Sequence, residues 1–242
     1  MKLLQKITML WWLLMAMTSG LTYGFTSSRQ DSLQQILKEG SDVETTIRTS
    51  LVLADLLKGN SPDSCRQYLD QARNLFWRIN SLPYLGLYFE IRGDLARNAF
   101  DFSSSDRLFR NAVFCYDKTR ERPKQIRLLN IIGSSYAQSG NVSEAFRYYL
   151  RAREYASDFC ETEMQARIDN NLGRLYCTSE NYLAGIGYYK QALAVFEKDK
   201  DPFKVGTVCM NLGNAYFHIL VMDSARIYAN RARQLFSGIS KI

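Results

Sequence analysis

Apolar and small residues recur along this chain at two nested periods. Over short stretches they fall three and four positions apart, the spacing of one helix face. Over the whole chain the same pattern returns every 40 residues, as in Gly133, Gly173 and Gly213. Within 126–165, Leu129, Ile132, Gly133 and Tyr136 share one helical face. Gln138-Ser139-Gly140-Asn141 then supplies a turn, in which glycine and asparagine tolerate a positive φ. A second helix from about Ser143 turns Ala145, Tyr148, Tyr149, Ala152 and Tyr155 inward. The pattern returns as Leu172, Gly173 and Tyr176, the turn Ser179-Glu180-Asn181, then Tyr189 and Ala192. It returns again as Leu212, Gly213, Tyr216, Ala225, Tyr228 and Ala232. Earlier copies are weaker: Gly93, Asp101, Phe102, Phe109 and Ala112, preceded by Leu53 at the glycine position, a Gly59-Asn60-Ser61-Pro62 turn and Ala72.

Only 14 of the 242 residues are glycine, so the series Gly93, Gly133, Gly173, Gly213 marks a stack of similar units. Ala112, Ala152, Ala192 and Ala232 keep the same step. Small residues at helix crossings let backbones approach, and aromatic rings fill the space around them. Pro83, Pro123 and Pro202 each fall just before a first helix or in its first turn. The expected fold is all-α, with five antiparallel helix pairs near 46–85, 86–125, 126–165, 166–205 and 206–242. Residues 25–45 form a partly helical lead-in. Such a stack makes surfaces more readily than active sites.

Asn171-Leu172-Gly173-Arg174-Leu175-Tyr176 and Asn211-Leu212-Gly213-Asn214-Ala215-Tyr216 resemble the first helix of a tetratricopeptide repeat. Gly140-Asn141-Val142-Ser143-Glu144-Ala145 is similar to that family's turn and second-helix start. The resemblance covers about 46–237. It departs in period, 40 against the family's usual 34, and in placing Leu129, Asp169 and Cys209 where a tryptophan is common. It implies a right-handed solenoid whose first helices line a concave face. On that face it places Arg127, Asn130 and Ser134, then Arg167, Asn170, Asn171 and Arg174, then Asn211 and Asn214. Asparagine offers a donor and an acceptor to an extended peptide backbone, and arginine a bidentate grip on carboxylate. The implied function is non-catalytic binding of a protein or peptide. The lysine set with which some members clamp a C-terminal carboxylate is missing. The layout also resembles the sensory N-terminal region of exported or membrane-tethered bacterial regulators, and this leaves open a sensory component of a signal-transduction system.

The first 24 residues differ in kind. Lys2 and Lys6 precede an apolar run, Ile7 to Met17, followed by Thr18-Ser19-Gly20. This is the pattern of an export signal, and the run is shorter than the roughly 20 residues of a membrane span. A periplasmic or secreted protein is expected, with an uncleaved N-terminal anchor as the alternative. Removing 1–24 removes two lysines and no acids, taking the net charge from +7 to +5. The dispersed charges give no footprint for nucleic acid. Cys65, Cys115, Cys160, Cys177 and Cys209 are sparse and unmatched in repeat position, so buried free thiols are expected, with one oxidised pair as the alternative in an oxidising compartment. No metal or cofactor motif is present, His218 is the single histidine, and Asp169 is expected to balance nearby arginines. The last helix, about Ser224 to Phe236, carries Ala225, Ile227, Tyr228, Ala229, Ala232, Leu235 and Phe236 around more than one side. Self-association through that helix, docking of a partner there, or truncation of a longer regulator before its membrane span and output module is expected.

Overall fold

The computed structural model describes residues 29–40 and 42–239; the expected signal segment, 1–24, lies outside them. Among the described residues the structure is helical and contains no strand. The chain divides into two compact units, 1–101 and 102–242.

The first unit contains α1 (29–38), α2 (Val43–Leu57), α3 (Pro62–Arg73), a 3-10 turn (Phe76–Arg78) and α4 (Leu82–Asn98). Asp42 starts α2 by accepting a hydrogen bond from the Thr45 amide. Ile47, Leu51 and Ala54 of α2 pack with Cys65, Leu69 and Ala72 of α3 and with Tyr88 and Ile91 of α4. Asp94, nearly buried on α4, is held by Lys58 from the end of α2 at 2.6 Å and by Arg97 at 2.9 Å.

The second unit contains α5 (Phe102–Thr119), α6 (Arg122–Gln138), α7 (Val142–Asp158), α8 (Thr162–Thr178), α9 (Tyr182–Lys198), α10 (Pro202–His218) and α11 (Met222–Ile239). Consecutive helices pack on one another throughout, and α8 also touches α6 and α10.

One connector design is used repeatedly. After a helix, one residue takes a positive φ: Arg120, Gly140, Cys160, Glu180, Lys200 and Leu220, twenty positions apart. The next amide then donates back to the last turn, as Asn141 does to the Tyr136 carbonyl at 2.9 Å and Asn181 to the Tyr176 carbonyl at 2.9 Å. This is the Schellman arrangement. The residue after the positive-φ position caps the following helix: Asn141 accepts from the Glu144 amide, Asn181 from Ala184, and Asp201 from Phe203 and Lys204. The asparagines of these turns therefore act as caps, with φ of −82° and −88°, and Glu180 carries the left-handed conformation. Pro123 and Pro202 lie in the first turns of α6 and α10. Those helices and α8 begin at 122, 202 and 162, four residues ahead of the unit boundaries read from the sequence.

The repeated glycines are contact points. A Cβ on Gly173 would meet the Tyr189 ring at 2.6 Å and the Gly185 carbonyl at 3.0 Å, and one on Gly133 would meet Tyr149 at 2.7 Å. Around them the tyrosines stack within each pair: Tyr136 on Tyr148, Tyr176 on Tyr188 and Tyr216 on Tyr228, with ring planes within 12° of parallel. All five cysteines are free thiols. Cys65, Cys115 and Cys209 are buried as expected, whereas Cys160 is exposed on its connector and Cys177 is half-buried.

Candidate binding groove on the first helices

Helices α6, α8 and α10 lie side by side, and their polar residues come to the same wall. The asparagines bond to one another across it. Asn171 of α8 donates its amide to Asn130 Oδ1 of α6 at 2.9 Å, and Asn211 of α10 donates to Asn170 Oδ1 of α8 at 3.0 Å. Each bond joins positions 41 residues apart, so the rungs repeat with the helices. A rung uses one donor and one acceptor, and it leaves an amide donor on one asparagine and carbonyl capacity on the other.

Around the rungs lies a cavity of about 420 Å³. Its polar lining is Arg127, Asn130, Arg167, Asn170, Asn171, Lys204 and Thr207, and its apolar lining is Ile131, Met164, Phe196, Phe203 and Val208. Lys204 is engaged by Glu163 at 2.7 Å and Asp201 at 3.1 Å. Its hydrogen bond to Glu163 holds the lysine above its usual pKa and the glutamate below its own. Arg167 is exposed and forms no ion pair with a described residue. The cavity thus offers a cation not already neutralised, a row of amides and an apolar floor.

The other expected residues lie elsewhere on the wall. Arg174, Asn211 and Asn214 line a second cavity of about 250 Å³ with Cys177, Thr178, Tyr182 and His218. There His218 stacks on Tyr182 with centroids 4.7 Å apart. Ser134 lines neither cavity; its hydroxyl is 2.9 Å from the Tyr149 phenol, which ties α6 to α7. A reading by polar residues passes over the apolar lining, Ile131, Met164, Phe196, Phe203 and Val208, while Lys204 and Thr207 are polar lining that the repeat register does not single out. Phe203 is 63% exposed in the first turn of α10. Asp169 faces away from the groove. It is buried and accepts from Arg153 Nε at 2.5 Å, as a charge-balancing residue should. Burial nevertheless pushes its carboxyl above the usual pKa, partly offset by Arg153.

Among the described residues, no group of three or more His, Cys, Asp or Glu side chains is placed to hold a metal, and no helix is long and apolar enough to cross a membrane.

No family model and no curated protein matches the chain. Solved structures do. BtubC (BKLC) from P. vanneervenii is 16% identical, with a TM-score of 0.76 over 90% of this chain and 91% of that one. The signal transduction ATPase with numerous domains and a tetratricopeptide repeat sensor from Pyrococcus horikoshii is 15% identical, with a TM-score of 0.75 over 81% of this chain and 31% of that one. A Rap protein complexed with competence and sporulation factor is 15% identical, with a TM-score of 0.64 over 86% of this chain and 58% of that one. The fold is therefore that of tetratricopeptide-like repeat proteins, all-α and built of antiparallel helix pairs.

Proposed function

We propose that this tetratricopeptide-like chain is a non-catalytic binding protein whose α6–α8–α10 groove holds an extended segment of a protein or peptide. The observation that carries the reading is the asparagine rungs. They present amide donors and carbonyl acceptors at the helix repeat, beside Arg167 and over the apolar floor of Ile131, Met164 and Phe203. An extended backbone asks for alternating donors and acceptors of this kind, an acidic side chain suits Arg167, and an apolar one suits the floor. The Rap protein of the same fold, crystallised with competence and sporulation factor, supports the reading.

A sensory role within a signalling system is favoured by the repeat sensor of the signal transduction ATPase, of which this chain spans 31%. We further propose export, directed by Lys2, Lys6 and the Ile7–Met17 run.

Selection of peptides from a random display library on the intact chain tests the groove. Soluble forms of the selected peptides are expected to bind at least about tenfold more weakly to the Arg167→Ala and the Asn170→Ala/Arg174→Ala variants, because charge-assisted hydrogen bonds contribute roughly 1.5–3 kcal/mol. Helicity should be unchanged. Undiminished affinity in both variants overturns the assignment.

A further inference from the structure

The repeats themselves show what the outer face of a pair receives. In α7, Arg153 donates to Asp169 of α8, the helix seated on it, and that carboxylate is 4% exposed. Forty residues on, the same position in α9 is Leu193, and α10 seats Cys209 in the same buried cluster. An arginine at this position meets an acid, and a leucine meets an apolar group. Eighty residues on from Arg153 stands Arg233 of α11, exposed.

A second position follows the same logic. Phe146 of α7 lies edge-on to Tyr176 of α8 with centroids 4.7 Å apart, and Ile186 of α9 is buried. The matching residue of α11 is Arg226, whose side chain is 77% exposed. Helix α10 extends this face with Met210 and Phe217, 46% and 58% exposed. Their counterparts on α8 are Asn170, which bonds α10, and Cys177, which packs against the cluster that holds it.

We propose that the α10–α11 edge receives one helix from another protein, and that this helix carries a carboxylate on its apolar face where α8 carries Asp169. Met210 and Phe217 take the apolar residues, and Arg233 takes the acid. Charge complementarity selects the occupant. A second copy meeting the same edge across a two-fold axis is the wrong complement, because it would bring one arginine-bearing edge against another. The α11 acid Asp223 is already beside Arg226 at 3.6 Å. Of the two outcomes expected at the last helix, self-association and docking of another protein, the arginines between its apolar residues favour the second.

The probe is a helix-locked synthetic peptide copying residues 162–178, the internal occupant of the equivalent seat, titrated into the full chain by fluorescence anisotropy. The copy with Asp169 should bind at least about tenfold more tightly than its Asp169→Asn form, since truncating one partner of a buried charge pair weakens binding strongly. The preference should vanish in Arg233→Leu. In Arg233→Asp it should reverse toward a peptide carrying Asp169→Arg, a readout that a merely unfolded variant would not give. Equal binding of the acid and amide peptides, or no binding of either up to about 1 mM, overturns the proposal. So does a dimer by light scattering that Arg233→Asp abolishes.

Discussion

At Gly173 the helices leave no space for a side chain: the Tyr189 ring and the Gly185 backbone both lie where a Cβ would go. The ring can turn, but the Gly185 carbonyl belongs to the neighbouring helix and cannot move alone. Gly173→Leu should therefore cost about 3 kcal/mol or more through overpacking, seen as a fall in the urea midpoint. An unchanged midpoint would contradict the packing described. The connectors give an opposite test. Gly140 sits at φ 77°, and Gly140→Ala should cost roughly 1 kcal/mol. Glu180, at φ 60°, already bears that strain, so Glu180→Gly should leave stability unchanged or raise it by a few tenths to about 1 kcal/mol. A loss at Glu180 comparable to that at Gly140 would mean that the turns are held by something other than backbone conformation.

At the scale of the element, α7 and α8 are pinned by a charge pair where α9 and α10 use apolar contact. Removing one partner of a buried pair costs about 3–5 kcal/mol, while replacing both with apolar groups is near neutral or stabilising. Arg153→Leu is therefore expected to be strongly destabilising. The Arg153→Leu/Asp169→Leu double variant should recover most or all of the loss in chemical denaturation. Burial holds the folded pKa of Asp169 above its unfolded value. Its ionisation therefore works against folding: stability from this group is greatest below the ordinary carboxylate range and is lost as pH rises through the folded pKa. Without Arg153 the loss should be larger. The Tm deficit of Arg153→Leu should then widen from acidic to neutral pH, and a deficit independent of pH would show that the two groups are not coupled. The sequence made Asp169 legible as a charge-balancing residue because an acid on an apolar helix face needs a cation. It did not say which arginine, since Arg153 is 16 residues away on another helix.

Across the whole molecule, the helix pairs were readable from glycine and alanine spacing, because close approach of backbones leaves few alternatives at those positions. The helices begin four residues ahead of the boundaries the repeat spacing suggests, and of the two places the prolines suit, Pro123 and Pro202 take the first turn. The wall of the groove was readable in outline from Arg127, Asn130, Arg167, Asn170 and Asn171. Its partition into two cavities was not, and neither was the diversion of Ser134 to Tyr149. Both depend on rotamers and cross-helix distances that a repeat pattern leaves undetermined. For export, mass spectrometry of the native protein should find a new N-terminus near Phe25; an intact Met1 on a cytoplasmic protein would contradict it. The central claim, that the first-helix groove holds a peptide, is tested most directly by photocrosslinking. A photoreactive residue would be placed singly at Thr207 in the groove and at the exposed Ala194 on the second-helix face, with a library-selected peptide as ligand. The account predicts crosslinking from position 207, competed by unlabelled peptide, and none from 194. Crosslinking from 194 with none from 207 would contradict it.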